Sequence, residues 1–175
     1  MPGELSIGLR RDRHVELRGR RSEPWWRRGV LLVFAAVVIA ALAGVFGQQH
    51  ETAHAETSAA SVTVRAPATV RGGLFFQGRI DVVAHQAIKR PRLVLGPAWT
   101  EQMQLNTLEP APAAESSSAG RLELEYDPVK PGDHLTLWLQ FEANPTGFGR
   151  RDRSVTLLDD AAPLARVPGE LTSLP

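Results

Sequence analysis

The stretch RLELEYDPVKPGDHLTLWLQF, residues 121–141, contains the two clearest strand patterns of the chain. Every second residue is apolar in both halves: Leu122, Leu124 and Tyr126 in the first, and Leu135, Leu137, Leu139 and Phe141 in the second. This alternation predicts two strands that each bury one face. The Pro131-Gly132 pair between them predicts a turn.

Five further stretches outside this pair predict strands: 61–65, 73–84, 92–95, 99–108 and 154–158. In the second of these, Gly78 interrupts the pattern and predicts a β-bulge. The low-complexity segment 109–120, EPAPAAESSSAG, predicts an exposed loop. About six to eight short strands separated by Pro and Gly predict a mainly β fold. We expect an antiparallel β-sandwich over residues 61–175 that ends in a short C-terminal tail.

The corner between the two clearest strands, YDPVKPGD (126–133), resembles the E-to-F corner of immunoglobulin-like and fibronectin-type sandwiches. Those corners often carry a tyrosine just after the turn, where this chain has His134-Leu135. The resemblance implies an immunoglobulin-like sandwich in which residues 141–155 form the next hairpin. Residues 61–168 also resemble uncharacterised single-pass membrane proteins of actinobacteria, most clearly in the N-P-T-x-x-G-R-R sequence at Asn144–Arg151. That resemblance implies a location and a fold, and it carries no catalytic residues.

Before the β-rich region lies GVLLVFAAVVIAALAGVFG, residues 29–47, which contains no charged or strongly polar side chain. Nineteen residues form about 28 Å of helix, close to the thickness of the hydrocarbon core of a bilayer. The segment therefore predicts one transmembrane α-helix. It divides the chain into an Arg-rich cytoplasmic tail (1–28), the helix, a polar stalk (48–60) and an extracytoplasmic sandwich (61–175).

The charges on the two sides of the helix predict its direction. Residues 1–28 contain eight Arg and four acidic residues, whereas the first basic residue after the helix is Arg65. Basic residues next to a span stay in the cytoplasm, so we expect the N-terminus inside and the C-terminus outside. The tail suits contact with the lipid bilayer, and its interspersed acids argue against a nucleic-acid partner. The alternative is a cleaved signal peptide, because Ala53-His54-Ala55 has the A-x-A form of a cleavage site.

The sequence contains no cysteine, which excludes disulfides, thiol nucleophiles and thiolate metal sites. Residues 48–175 carry 12 basic and 15 acidic side chains, a net charge of −3, although the whole chain has +1. The length beyond the stalk suits one domain of about 100 residues. Because this domain has no disulfides, a hydrophobic core must stabilise it.

The segment His50-Glu51-Thr52-Ala53-His54 has the H-E-x-x-H pattern of zinc peptidases. On a helix the two His share one face and bind Zn²⁺, while the Glu acts as general base. Here the motif lies in the predicted stalk, and Ala60 occupies the position of a third ligand. We therefore predict no metal, no cofactor and no catalytic residue. A zinc-dependent hydrolase is the alternative function.

Three arginines, Arg150, Arg151 and Arg153, predict a basic hairpin tip. Arginine pairs with carboxylates and phosphates, so the tip is a candidate contact for a partner; the other interpretation is a solvated loop. The sequence offers no convergent acid, base and nucleophile, which favours a binding or scaffolding module over an enzyme. The expected partner is another membrane or envelope protein. An envelope sensor that signals to the Arg-rich tail is a third interpretation.

Overall fold

The structure is a computed structural model that describes residues 23–43 and 50–174. The chain divides into two compact units, residues 1–47 and residues 48–175. Most of the predicted Arg-rich tail, residues 44–49 and the last residue lie outside the described residues.

The first unit contains helix α1, Glu23–Leu42. Pro24 lies in the first turn, where a missing backbone N–H removes no helical hydrogen bond. The helix begins before the predicted start at Gly29 and so includes Trp25 and Arg28, whose guanidinium lies 5.9 Å from the centre of the Trp25 ring. Within the described residues, the segment Trp25–Leu42 is long and apolar enough to cross a bilayer, and a signal sequence shares these properties.

Residues 50–174 of the second unit form strands and one short 3₁₀ turn at Pro97–Trp99. In its described part the strands are β1 (His50–Glu56), β2 (Ala60–Pro67), β3 (Thr69–Arg71), β4 (Phe75–Ala84), β5 (Pro91–Leu95), β6 (Met103–Glu109), β7 (Ala114–Ser118), β8 (Arg121–Glu125), β9 (His134–Ala143), β10 (Gly149–Asp152), β11 (Val155–Asp159), β12 (Ala162–Val167) and β13 (Glu170–Leu174).

These strands form three sheets. The front sheet has the order β1-β2-β4-β9-β6, and the back sheet has the order β12-β11-β5-β8-β7. A short sheet, β10-β13-β3, contains the parallel pair β13 and β3. All strand pairs of the front and back sheets are antiparallel. The mainly β, antiparallel fold predicted from the sequence is therefore confirmed.

One hydrophobic core lies between the inner faces of the front and back sheets. The front sheet contributes Leu137 and Leu139, and the back sheet contributes Leu122 and Leu124, all buried as their alternation predicted. Tyr126 is also buried; its hydroxyl donates to the carbonyl of Pro110 at 3.2 Å. Burial, with a smaller effect of the nearby Glu115 charge, raises the pKa of Tyr126 to about 12.

The centre of the core is organised around Trp99, which was predicted in a strand but lies in the 3₁₀ turn. Its ring centre is 5.5 Å from that of Phe141. The predicted bulge at Gly78 is wrong, because Gly78 pairs in regular register with Leu139. A Cβ atom at position 78 would lie 2.6 Å from Cζ3 of Trp99. Glycine at this position makes room for the indole ring.

Three segments predicted outside the strands belong to the sheets. Strand β1 replaces most of the predicted stalk, with Ala53 and Ala55 packed against the core. Strand β7 lies within the predicted loop, and strands β12 and β13 replace the predicted C-terminal tail. Strands β1, β7 and β12 are edge strands, paired on one side within their sheets. An edge strand buries less apolar surface, so its sequence shows weak alternation.

Candidate functional site

The predicted basic tip is divided by the fold into exposed and buried arginines. Arg150 and Arg151 belong to β10, which pairs with β13. The Arg150 side chain is 74% exposed, and its Nη2 atom lies 2.9 Å from Oε2 of Glu170. Arg151 Nη2 donates to the carbonyl of Phe148 at 3.2 Å. Arg150 is thus accessible for an electrostatic contact, whereas the Arg151 side chain is largely covered.

The prediction that Arg153 forms part of this exposed tip is wrong, because its side chain is only 3% exposed. Nη1 donates to the carbonyls of Ala66 at 2.7 Å and Pro67 at 3.1 Å. Nη2 donates to Oε2 of Glu51 at 3.0 Å. Burial lowers the pKa of Arg153, and the Glu51 charge partly opposes that shift. Arg153 therefore joins β1 to the end of β2 and is a structural residue.

The H-E-x-x-H segment forms β1 and not a helix. Four residues along a strand separate the Cα atoms of His50 and His54 by about 13 Å, so the helical spacing that lets two His share one ion is lost. The Glu51 carboxylate pairs with Arg153, and His54 lies within hydrogen-bond distance of Thr63 (3.1 Å). Among the described residues, no group of three or more potential ligands is placed to hold a metal ion.

The outer face of the front sheet carries an exposed aromatic side chain beside a basic one. Its strand register aligns Arg65 of β2, Arg79 of β4, Trp138 of β9 and Glu109 of β6 in one row. Trp138 is 40% exposed, and the Arg79 guanidinium lies 4.7 Å from the centre of a Trp138 ring. The indole therefore presents an apolar surface in the middle of a polar sheet face.

Hydrogen bonds fix the Arg79 side chain in this position. Its Nε atom donates to Oδ1 of Asp81 at 2.9 Å, and its Nη2 atom lies 2.8 Å from the same oxygen. Thr136 Oγ1 also donates to Oδ1 of Asp81, at 2.8 Å. The carboxylate thus links β4 to β9. We name Arg79, Asp81, Thr136 and Trp138 the Trp138 cluster.

The strand pattern of residues 135–141 also indicates where Trp138 lies. In LTLWLQF the buried residues are Leu137, Leu139 and Phe141, so the same alternation places Trp138 on the polar face. Aromatic residues are enriched in protein–protein interfaces, so a large aromatic residue at a predicted outward position of a clear strand is a candidate contact residue. The outer face of the back sheet instead presents ion pairs, in which Arg92 lies near Glu123 and Glu125.

No protein-family model matches the sequence, and no curated protein matches it. Among solved structures, one that resembles the sandwich is the solution structure of CaCohA2 from Clostridium acetobutylicum, with a TM-score of 0.41 and 9% sequence identity. The similarity covers 60% of this chain and 84% of that chain.

Proposed function

We propose that the protein is a single-pass membrane protein whose immunoglobulin-like sandwich lies outside the cytoplasm and binds another membrane or envelope protein. The Trp138 cluster carries the proposal for binding. Tryptophan and arginine are among the residues most enriched at the hot spots of protein–protein interfaces, which contribute most of the binding free energy. Here the two side chains are held together on an ordered sheet, so a partner gains contact area with little loss of side-chain freedom.

The position of β1 supports a retained anchor over a cleaved signal peptide. Cleavage after Ala55 would remove all of β1 except Glu56, together with its pairing to β2. It would also remove Glu51, which bonds to the buried Arg153. A cleavage site inside a strand of the folded domain would leave that domain incomplete. Helix α1 therefore suits a permanent anchor, with its basic flank in the cytoplasm.

Reporter fusions test the anchor and its direction. A reporter active only in the cytoplasm should work at the N-terminus, and one active only outside should work after Pro175. The full-length chain should remain in the membrane fraction after carbonate washing. Reversed signals would overturn the proposed topology. A soluble product beginning near Glu56 would replace the anchor with a signal peptide.

Photocrosslinking tests the binding surface. The photoreactive residue p-benzoylphenylalanine is placed in cells at Gln140, two positions along β9 from Trp138 and exposed on the same face. The matched control places it at Arg166, exposed on the outer side of β12 in the back sheet. We expect a discrete protein adduct from position 140 and none from position 166.

Trp138→Ala provides the internal control for this experiment. Loss of a central aromatic contact weakens binding by about 2 kcal/mol or more, so the position 140 adduct should fall by at least about tenfold. The change leaves the inner face of β9 intact, so the amount of folded protein in the membrane should stay the same. Equal adducts from both sheets, or an adduct that persists in Trp138→Ala, would refute the assigned surface.

A further inference from the structure

The strongly exposed large apolar side chains of the described sandwich collect at one end. Leu74 is 46% exposed, Phe148 is 56% exposed and Leu174 is 40% exposed. Phe75 is also exposed, and among residues 50–174 the remaining large apolar side chain with comparable exposure is Trp138. We name Leu74, Phe75, Phe148 and Leu174 the apolar end.

Backbone contacts hold the segments of the apolar end together. The amide of Gly72 donates to the carbonyl of Leu174 at 2.9 Å. Gly149 pairs with Ser173, so Phe148 and Leu174 stand at neighbouring strand ends. A Cβ atom at Gly72 would lie 2.8 Å from Cα of Pro145, which shows how closely the turn after β9 approaches the turn before β4. The backbone segments that carry the four apolar side chains therefore lie next to one another at this end of the sandwich.

Strand directions place the start of β1 at the same end. Strands β1 and β4 are both antiparallel to β2, so His50 and Phe75, where the two strands begin, mark one end of the front sheet. His50 and Phe75 line the same surface depression. Eight residue steps separate Leu42, the last residue of α1, from His50, and an extended chain of that length spans at most about 28 Å. The described part of the sandwich therefore begins, at His50, at the same end as the apolar side chains.

Basic side chains accompany the apolar ones at this end. Arg71 is exposed and pairs in register with Leu174. Arg150, next to Gly149, is exposed and reaches Glu170. Leucine and phenylalanine beside arginine suit the headgroup layer of a bilayer, where apolar groups enter the acyl boundary and guanidinium groups meet phosphates.

We propose that the apolar end binds the headgroup layer of a lipid bilayer. This inference rests on the proposed anchoring by α1. The Trp138 cluster lies farther along the front sheet, at residues 79–81 of β4 and 136–138 of β9.

Fluorescence quenching in lipid nanodiscs tests the proposal on the full-length chain. The chain contains no cysteine, so a single introduced cysteine can be labelled with a bimane fluorophore. Phe148→Cys places the probe at the apolar end, and Lys130→Cys places it at an exposed position near the opposite end. The ten residues of β9 between these ends span about 30 Å. Discs of phosphatidylethanolamine and phosphatidylglycerol carry a nitroxide-labelled headgroup as the quencher.

We expect the probe at position 148 to be quenched at least about threefold more than the probe at position 130, because docking places it within the layer about 5–10 Å deep that interfacial groups enter. Leu74→Ser with Leu174→Ser should reduce the quenching at position 148 to the level at position 130. Val83→Ser, near the far end of β4 opposite His134, is the matched control and should change nothing.

Each failure has its own signature. Co-elution of the chain with the discs tests the anchor, and its loss would overturn both the anchor and the docking. Co-elution with equal quenching at positions 148 and 130 would overturn the docking alone. A third result would be a bimane probe at position 148 that is protected from quenching by aqueous iodide and is not quenched by the lipid nitroxide. This result would show that protein covers the apolar end, and it would refute the lipid assignment.

Discussion

Replacing Trp99 with alanine should lower the free energy of unfolding by about 3 to 5 kcal/mol, because it leaves a large cavity in the centre of the core. Trp99 is fully buried against Phe141, and its Nε1 atom donates to the carbonyl of Arg153 at 3.2 Å. Trp99→Phe keeps most of the packing but loses this hydrogen bond, so its effect should be smaller. Pulse proteolysis across a urea series measures both changes without relying on tryptophan fluorescence.

A double-mutant cycle makes the prediction for Trp99 specific to its contact with Gly78. Gly78→Ala alone should destabilise the protein by about 1 to 3 kcal/mol, since the added methyl group collides with the indole. In the Trp99→Ala protein the collision is absent, so the same change should cost at least about 1 kcal/mol less. Additive effects would mean that the indole does not lie against position 78.

Arg153→Ala should destabilise the sandwich by about 2 to 4 kcal/mol, because the buried carbonyls of Ala66 and Pro67 lose a charged donor. Arg153→Lys should lose less stability than Arg153→Ala, because lysine keeps a positively charged donor. The recovery should be partial, because the ammonium group lacks the planar set of donors of the guanidinium group. Urea unfolding of the full-length chain in detergent micelles gives the comparison.

Arg150→Ala is the matched control for this prediction. Its side chain is exposed and has one surface ion pair with Glu170, so the change should stay within about 0.5 kcal/mol. Glu51→Gln should also have a small effect, because the amide oxygen can still accept from Arg153 and Glu51 is largely exposed. If Arg150→Ala and Arg153→Ala had equal effects, the assignment of Arg153 as a buried link between β1 and β2 would be wrong.

Arg153 shows why part of the site was beyond prediction from the sequence. Its neighbours in RRDRS suggest a uniformly solvated tip, and the groups that its guanidinium bonds lie 86 to 102 positions away in the chain. Such contacts exist only once the sheets have formed. Strands β8 and β9 were predictable because each buries one complete face, which imposes strict alternation on its residues.

The H-E-x-x-H segment shows a different limit. The motif has meaning only on a helix, and its local sequence of Ala, Thr and polar residues did not indicate strand or helix. Seven residues of the segment pair with β2, and this pairing determines its strand conformation. The conformation therefore depends on a contact with another strand and not on the local sequence alone. The exposure of Trp138, in contrast, could be predicted from the sequence, because the alternation that buries Leu137 and Leu139 also places position 138 on the outer face.

Strand β1 also gives the chain a mechanical property. A pull on the chain preceding the sandwich reaches the described part of the domain at His50, the first residue of a strand that pairs with β2 over its whole length. A pull along the strand axis loads this ladder in shear, so that many hydrogen bonds share the force instead of opening one after another. The bond from Arg153 to Glu51, one residue from the point of entry, reinforces the ladder where the load is applied. The first strand therefore distributes a pull on its N-terminal end over its whole pairing with β2.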